Sequence, residues 1–150
     1  LRTMIDVEGL RSALLDGTID AVATDHAPHS PQSKSVGLPE APPGMLGVET
    51  MASIVWDEFV ARGLMTPQRF VTLLSLAPAS IAGITTHGAQ FTIGEAANIA
   101  VFDPGERWVI QAEGLQSKSL NTPWPQKEVQ GRVRHTICNG ELVVHDATLV

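Results

Sequence analysis

The sequence predicts an α/β chain in two parts, an α/β piece to about residue 85 and a small β piece after it. Three observations carry this expectation. A nearly continuous apolar run, Ile19 to Thr24, follows directly on a helix-like segment, the pattern of a strand covered on both faces of a parallel sheet. Between Gly47 and Arg62 the apolar residues Val48, Met51, Ala52, Val55, Trp56, Phe59 and Val60 recur with the helical period. Beyond residue 88 only short strand-like runs remain, separated by turn residues.

Each element follows from its own signals. Asp6 to Leu15 places Val7, Leu10, Ala13, Leu14 and Leu15 close to helical spacing, and Asp16-Gly17 stops it. Residues 25 to 46 hold Pro28, Pro31, Pro39, Pro42 and Pro43, and so form a long loop of the kind that carries function. The helix over 47–62 ends at Gly63. Thr66-Pro67 then supplies a cap and a proline at the first helical position, with Phe70, Val71, Leu73 and Leu74 as the buried stripe. Ala77-Pro78-Ala79 begins a short third helix ending near Gly83. In the β piece, strands are expected at 98–102, closed by Asp103-Pro104-Gly105, and at 108–110, 133–138 and 141–144. Asn139-Gly140 between the last two is a strong hairpin signal.

Length and composition narrow the function classes. A chain of 150 residues can bury ~70% of its unfolded surface, so stability does not demand metals or disulfides. No apolar run approaches the ~20 residues a membrane-crossing helix needs. Ten Lys and Arg against sixteen Asp and Glu give a net charge of -6, with the basic residues scattered, which argues against nucleic acid as a partner. The single cysteine, Cys138, has no internal partner, which fits a reducing compartment and a cytoplasmic location. No initiator Met, basic segment or apolar leader opens the chain, so no secretory signal is expected, and the start at Leu1 reads as a cut.

The chemistry concentrates in Ala23-Thr24-Asp25-His26-Ala27-Pro28-His29-Ser30, at the end of the expected buried strand. Asp25 takes the position where α/β barrels set their catalytic groups. His26 and His29 follow at one and four residues. Carboxylate and imidazole are both zinc ligands, and a carboxylate beside metal-bound water can take up its proton, so the stretch suits metal-assisted hydrolysis. A turn-forming aspartate with solvent-exposed loop histidines is the plainer reading of the same residues. A catalytic zinc takes about three protein ligands, and these three residues lie too close in sequence to surround one ion. His87, His135 and His145 read as surface or structural residues.

The stretch "DGTIDAVATDHAPHS", with Lys34, "PGMLGVET", "SKSLNTPW" and "GRVRHTICNGELV", resembles dihydroorotases of the amidohydrolase superfamily over nearly the whole chain. "TDHAPH" is the most specific part, and Leu1-Arg2 is similar to the end of an Asn-Pro-Pro-Leu-Arg segment of that family. The resemblance implies the last strand and helices of a metal-dependent (β/α)8 barrel over residues 1–85. Residues 86–150 would form the C-terminal part of a composite β-sandwich domain.

It further implies a two-zinc centre and reversible cyclisation of N-carbamoyl-L-aspartate to L-dihydroorotate in pyrimidine biosynthesis. Asp25 would bind one zinc and carry the proton between the attacking water and the ring nitrogen. His29 would hold the substrate carboxylate, and the backbone around Pro43 and Gly44 would contact the ring. His26 matches a motif position to which no ligand role is assigned, and its expected role is to orient the loop by hydrogen bonding. The family's remaining metal ligands have no counterpart in this chain, which is therefore expected to be inactive alone. Homo-oligomerisation or association with aspartate transcarbamoylase are the partner expectations.

Departures from the family pattern are Ala77-Pro78-Ala79 for Asn-Pro-Ala, which lacks a capping side chain, Pro42-Pro43-Gly44 for Pro-Phe-Gly, and Asn98 for an Asp, read as a turn variation. The alternatives are a non-catalytic dihydroorotase-like scaffold subunit, or a related cyclic amidase such as hydantoinase or allantoinase. The second histidine, His29, and the "SKSLNTP" segment argue against the cyclic amidase.

Overall fold

Thr3 and Asp6 set the start of the first helix, α1 (Met4–Asp16), through a reciprocal cap: Asp6 N–H donates to Thr3 Oγ1 and Thr3 N–H to Asp6 Oδ2. Gly17, at φ 92°, ends it in the left-handed conformation. The computed structural model describes residues 3–88 and 91–150. Leu1 and Arg2, compared above with a family segment, lie outside the described residues.

Of the apolar stripe expected on α1, Leu14 is buried while Leu10 and Leu15 are exposed. The expected strand over Ile19–Thr24 does not form as part of a sheet. A parallel strand exists only through its neighbours, and no described strand lies beside this one. The segment instead crosses the helical core, with Ile19 and Val22 packed on it and Val22 N–H donating to Leu73 O at 3.1 Å. Its one ladder contact is an isolated parallel bridge, His26 to Met45.

The long loop contains a short helix, α2 (Pro31–Lys34), capped by Ser30. The next helix, α3 (Met51–Val55), is followed directly by a π-helical turn, Trp56–Val60. It begins later than the expected 47, although its first hydrogen bond, Met51 N–H to Gly47 O, reaches back to that residue. After Gly63 comes α4 (Pro67–Val71), capped by the Thr66 hydroxyl as its sequence predicts. It continues through a π turn, Thr72–Leu76, into α5 (Ala77–Ala82).

The separate third helix expected at Ala77 is therefore a continuation, and the missing capping side chain has nothing to cap. Pro78 has no N–H for the i−4 bond and its ring crowds that carbonyl. The widened turn just before it, with Ala77 N–H reaching Thr72 O, absorbs the misfit.

The β piece is one antiparallel sheet in sequence order: β1 (Ile99–Val109), β2 (Glu128–Cys138), β3 (Glu141–His145) and β4 (Thr148–Leu149). Two expected strands, 98–102 and 108–110, are one. Asp103-Pro104-Gly105 makes a register shift rather than a turn, with Asp103 Oδ1 accepting from the N–H groups of Gly105 and Glu106. β2 starts at Glu128, five residues before the expected 133. The Asn139-Gly140 hairpin is present, with φ of 50° and 86°. Asn98 helps fix that hairpin by accepting from Asn139 N–H at 2.9 Å.

The core joins helices to sheet. Leu14, Val55, Met65, Phe70 and Leu73 form its buried centre, and Phe102 from β1 packs against it. Trp56, Phe70 and Phe102 make a three-ring cluster with centroids 5.1–5.5 Å apart. Gly131 on β2 lets the rings close in: a Cβ there would lie 2.5 Å from Phe102 Cζ and 2.8 Å from Trp56 Cδ1. Beside this cluster Glu58 meets Arg11, Arg62 and Lys127, tying α1 and the α3 turn to the start of β2. Burial pushes the Glu58 carboxyl up, but the hydrogen bond and charge of Lys127, with the two arginines, outweigh it and hold it below the usual carboxylate range.

Candidate active site

The site is built where the crossing segment 19–24 emerges from the core. Asp25 is exposed and has φ 45°, a left-handed conformation that aspartate tolerates better than most residues. Its carboxylate has no hydrogen-bond or ion-pair partner among the described residues. The bridge between His26 and Met45 is parallel, so Gly44 and Met45 run alongside Asp25 and His26. Two stretches nineteen residues apart in sequence thus share one rim.

His26 orients the loop, as its sequence position suggested. Nδ1 accepts from Gly47 N–H at 3.1 Å and from Val48 N–H at 3.4 Å, closing the turn that leads to α3. An acceptor Nδ1 leaves the proton on Nε2 in the neutral ring.

His29 lies against the opposite stretch. Its Nε2 is 2.9 Å from Pro43 O, and a carbonyl can only accept, so Nε2 carries the proton. Nδ1 would donate to a carboxylate only in the doubly protonated ring. The sequence-predicted residues His29, Pro43 and Gly44 are therefore in direct contact. Gly44, at φ 126°, is required there: a Cβ would stand 2.5 Å from Ala27 Cβ and 3.0 Å from His29 Nε2.

All three carbonyls of Pro42-Pro43-Gly44 are held by side chains. Lys34 Nζ donates to Pro42 O at 2.7 Å and Gly44 O at 2.8 Å, and His29 takes Pro43 O. Two prolines have no N–H, so the only donor of this tripeptide is the Gly44 N–H, which no described acceptor engages. The stretch presents one backbone donor and spends its acceptors inward.

Two residues absent from the sequence-derived site also meet here. Ser119 and Asn121, in the connection from β1 to β2, hydrogen-bond His29, Ala27 and Gly44. Their signal lay only in the "SKSLNTPW" motif, since nothing local to residues 117–124 points at a loop ninety residues earlier. His87, His135 and His145 lie elsewhere. The last two stack on each other at 5.0 Å in the C-terminal hairpins.

Among the described residues no group of three His, Cys, Asp or Glu side chains could hold a metal ion. Asp25 could offer a carboxylate and His29 its unprotonated Nδ1, so the described residues could hold a zinc ion only as part of a larger ligand set. No described helix is long and apolar enough to cross a membrane.

A bridged rim at the end of a core-crossing segment, carrying a free aspartate and a histidine-gripped glycine turn, is the frame within which the sequence likeness falls. A sequence model of the amidohydrolase family matches residues 2–143, and the chain belongs to that family. Its curated relatives include the dihydroorotases of Mycobacterium leprae (strain TN), 41% identical over 95% of this chain and 33% of the relative, and of Streptomyces coelicolor, 42% identical over 99% and 35%. The chain spans about a third of the length of these relatives.

Among solved structures, dihydropyrimidinase from Brevibacillus agri NCHU1002 superimposes with a TM-score of 0.91 at 27% identity, over 100% of this chain and 33% of that one. D-hydantoinase from Bacillus sp. AR9 gives 0.91 at 28%, over 100% and 34%. The fold is thus shared with this dihydropyrimidinase and this D-hydantoinase, and the sequence is more similar to these dihydroorotases.

Proposed function

We propose that this chain is the C-terminal share of a dihydroorotase, which interconverts N-carbamoyl-L-aspartate and L-dihydroorotate. Residues 1–85 would contribute the last strand and helices of a (β/α)8 barrel. Residues 86–150 would contribute the closing part of a composite β-sandwich. An apolar run that crosses the core without a ladder partner, and an α1 whose Ile5 and Leu10 are exposed, support a barrel completed by strands and helices from elsewhere.

The observation that carries the reading is the pairing at the rim of an unpartnered Asp25 carboxylate with His29, which is bonded to Pro43 O and lies close against Gly44. Asp25 Oδ accepts a proton from the attacking water and returns it to the ring nitrogen as the amide opens. In the cyclising direction the same carboxylate runs the transfer in reverse. His29, in its doubly protonated form, meets the substrate carboxylate through Nδ1–H, and the free Gly44 N–H meets a ring carbonyl. Zinc, held by Asp25 with ligands outside this chain, would supply acidification of the water and polarisation of the scissile carbonyl. The cytoplasm is the compartment that this chemistry and the lone Cys138 suit.

The reading favours dihydroorotase over hydantoinase on the higher identity to dihydroorotases and on His29, which an uncharged hydantoin ring would not need. A substrate panel on the full-length polypeptide tests it. Dihydroorotate should turn over at least roughly 100-fold better in kcat/KM than hydantoin or dihydrouracil, since a site that pairs a substrate charge rejects analogues lacking it. His29→Ala should erase most of that preference. Preferential turnover of hydantoin would move the chain to the cyclic amidases, and turnover of none to a scaffold.

A further inference from the structure

The connection between β1 and β2 does more than join two strands. After the short 3-10 turn Ala112–Gly114, the chain travels to the rim and returns to β2. Glu49, just ahead of α3, anchors its outward leg: Oε2 accepts from Gln116 N–H at 2.7 Å and Oε1 from Ser117 N–H at 3.0 Å.

Beyond that anchor two side chains enter the site. His29 N–H is shared between Ser119 Oγ at 3.1 Å and Asn121 Oδ1 at 3.2 Å. The Ser119 hydroxyl, 4% exposed, also contacts His29 O and Asn121 Oδ1. Asn121 Nδ2 donates to Ala27 O at 2.9 Å and Gly44 O at 3.3 Å, and Asn121 O accepts from Leu46 N–H at 3.2 Å. One amide side chain therefore bonds both stretches of the rim, 27–29 and 44–46.

We infer that Ser119 and Asn121 are positioning residues for substrate, forming a strap from the β piece that sets the spacing between His29 and the Gly44 N–H. Neither Ser119 nor Asn121 hydrogen-bonds Asp25. What the strap controls is the separation of the groups that would grip the carboxylate and the ring, so its loss weakens binding more than chemistry. The inference rests on the dihydroorotase reading for the identity of the substrate, and on the hydrogen bonds alone for the loop it holds.

Asn121→Ala separates these. In the full-length polypeptide KM for dihydroorotate should rise about tenfold, the equivalent of a hydrogen-bond loss near 1.4 kcal/mol, while kcat changes less than about threefold. In the same full-length polypeptide, amide exchange followed by mass spectrometry should accelerate about tenfold or more across 26–46 and stay at the wild-type rate in β1 and β2. Ser119→Ala, nearly isosteric, should show the same pattern more weakly, and decides the matter if the Asn121 variant does not fold. Unchanged KM with unchanged loop exchange overturns the strap, as does a lowered melting temperature with KM and loop exchange both intact. If the wild-type polypeptide turns over no dihydroorotate, the functional reading fails and the exchange measurement alone decides the strap.

Discussion

Gly44 illustrates how much one residue type can carry. Its φ of 126° is open to glycine and strained for any other residue, and its missing Cβ is what lets the turn lie on Ala27 and the His29 ring. Gly44→Ala should therefore push the 42–44 turn off the rim and displace the one free N–H it presents. A shift near 1 Å in a binding group costs on the order of 100-fold in rate, so kcat/KM for dihydroorotate in the full-length polypeptide should fall by about that factor. Activity within a few-fold of wild type would mean that the turn takes no part in substrate binding. At this scale the sequence was informative about residue types and silent about partners. Asp25, His29 and Gly44 could be singled out from the "TDHAPH" and "PGMLGVET" stretches. That Lys34 would hold two carbonyls of the turn, or Asn121 both sides of the rim, depends on contacts across up to ninety-four positions.

The elements divide by whether their signals are local. The Thr66 cap and the Asn139-Gly140 hairpin each depend on a handful of adjacent residues, and both form as read. The strand expected over Ile19–Thr24 failed because its apolar run declares burial but not a partner, and here burial is against helices. The Asp103-Pro104-Gly105 turn failed for the opposite reason. A turn signal was overruled by β2, which pairs on both sides of it and reduces it to a register shift. Nor could the chain announce that Pro78 would be absorbed by a π turn rather than start a new helix. The join between helices and sheet rests on Gly131, at φ 91° with Phe102 and Trp56 where a side chain would be. Gly131→Ala should cost about 2 kcal/mol or more, read as a melting temperature lower by roughly 5 °C or more. A melting temperature within a degree of wild type would show that the ring cluster yields easily.

Across the whole molecule, two regions that the composition separates are laced together around one rim. The aromatic cluster joins them in the core and the Asn121 hydrogen bonds join them at the surface, so the β piece holds the rim on which Asp25 and His29 sit. The described residues supply an exposed carboxylate with the 42–45 loop beside it, and no three-residue metal group. On the proposed function, this chain would supply the proton carrier, Asp25, and part of the binding site, with the remaining zinc ligands outside it. In the proposed mechanism Asp25 moves the proton. The most direct test is the turnover of dihydroorotate by the full-length Asp25→Ala polypeptide, with substrate affinity measured separately by calorimetry. The expected result is a kcat lower by at least roughly 1000-fold, with dihydroorotate still bound. A kcat within about tenfold of wild type would contradict the claim.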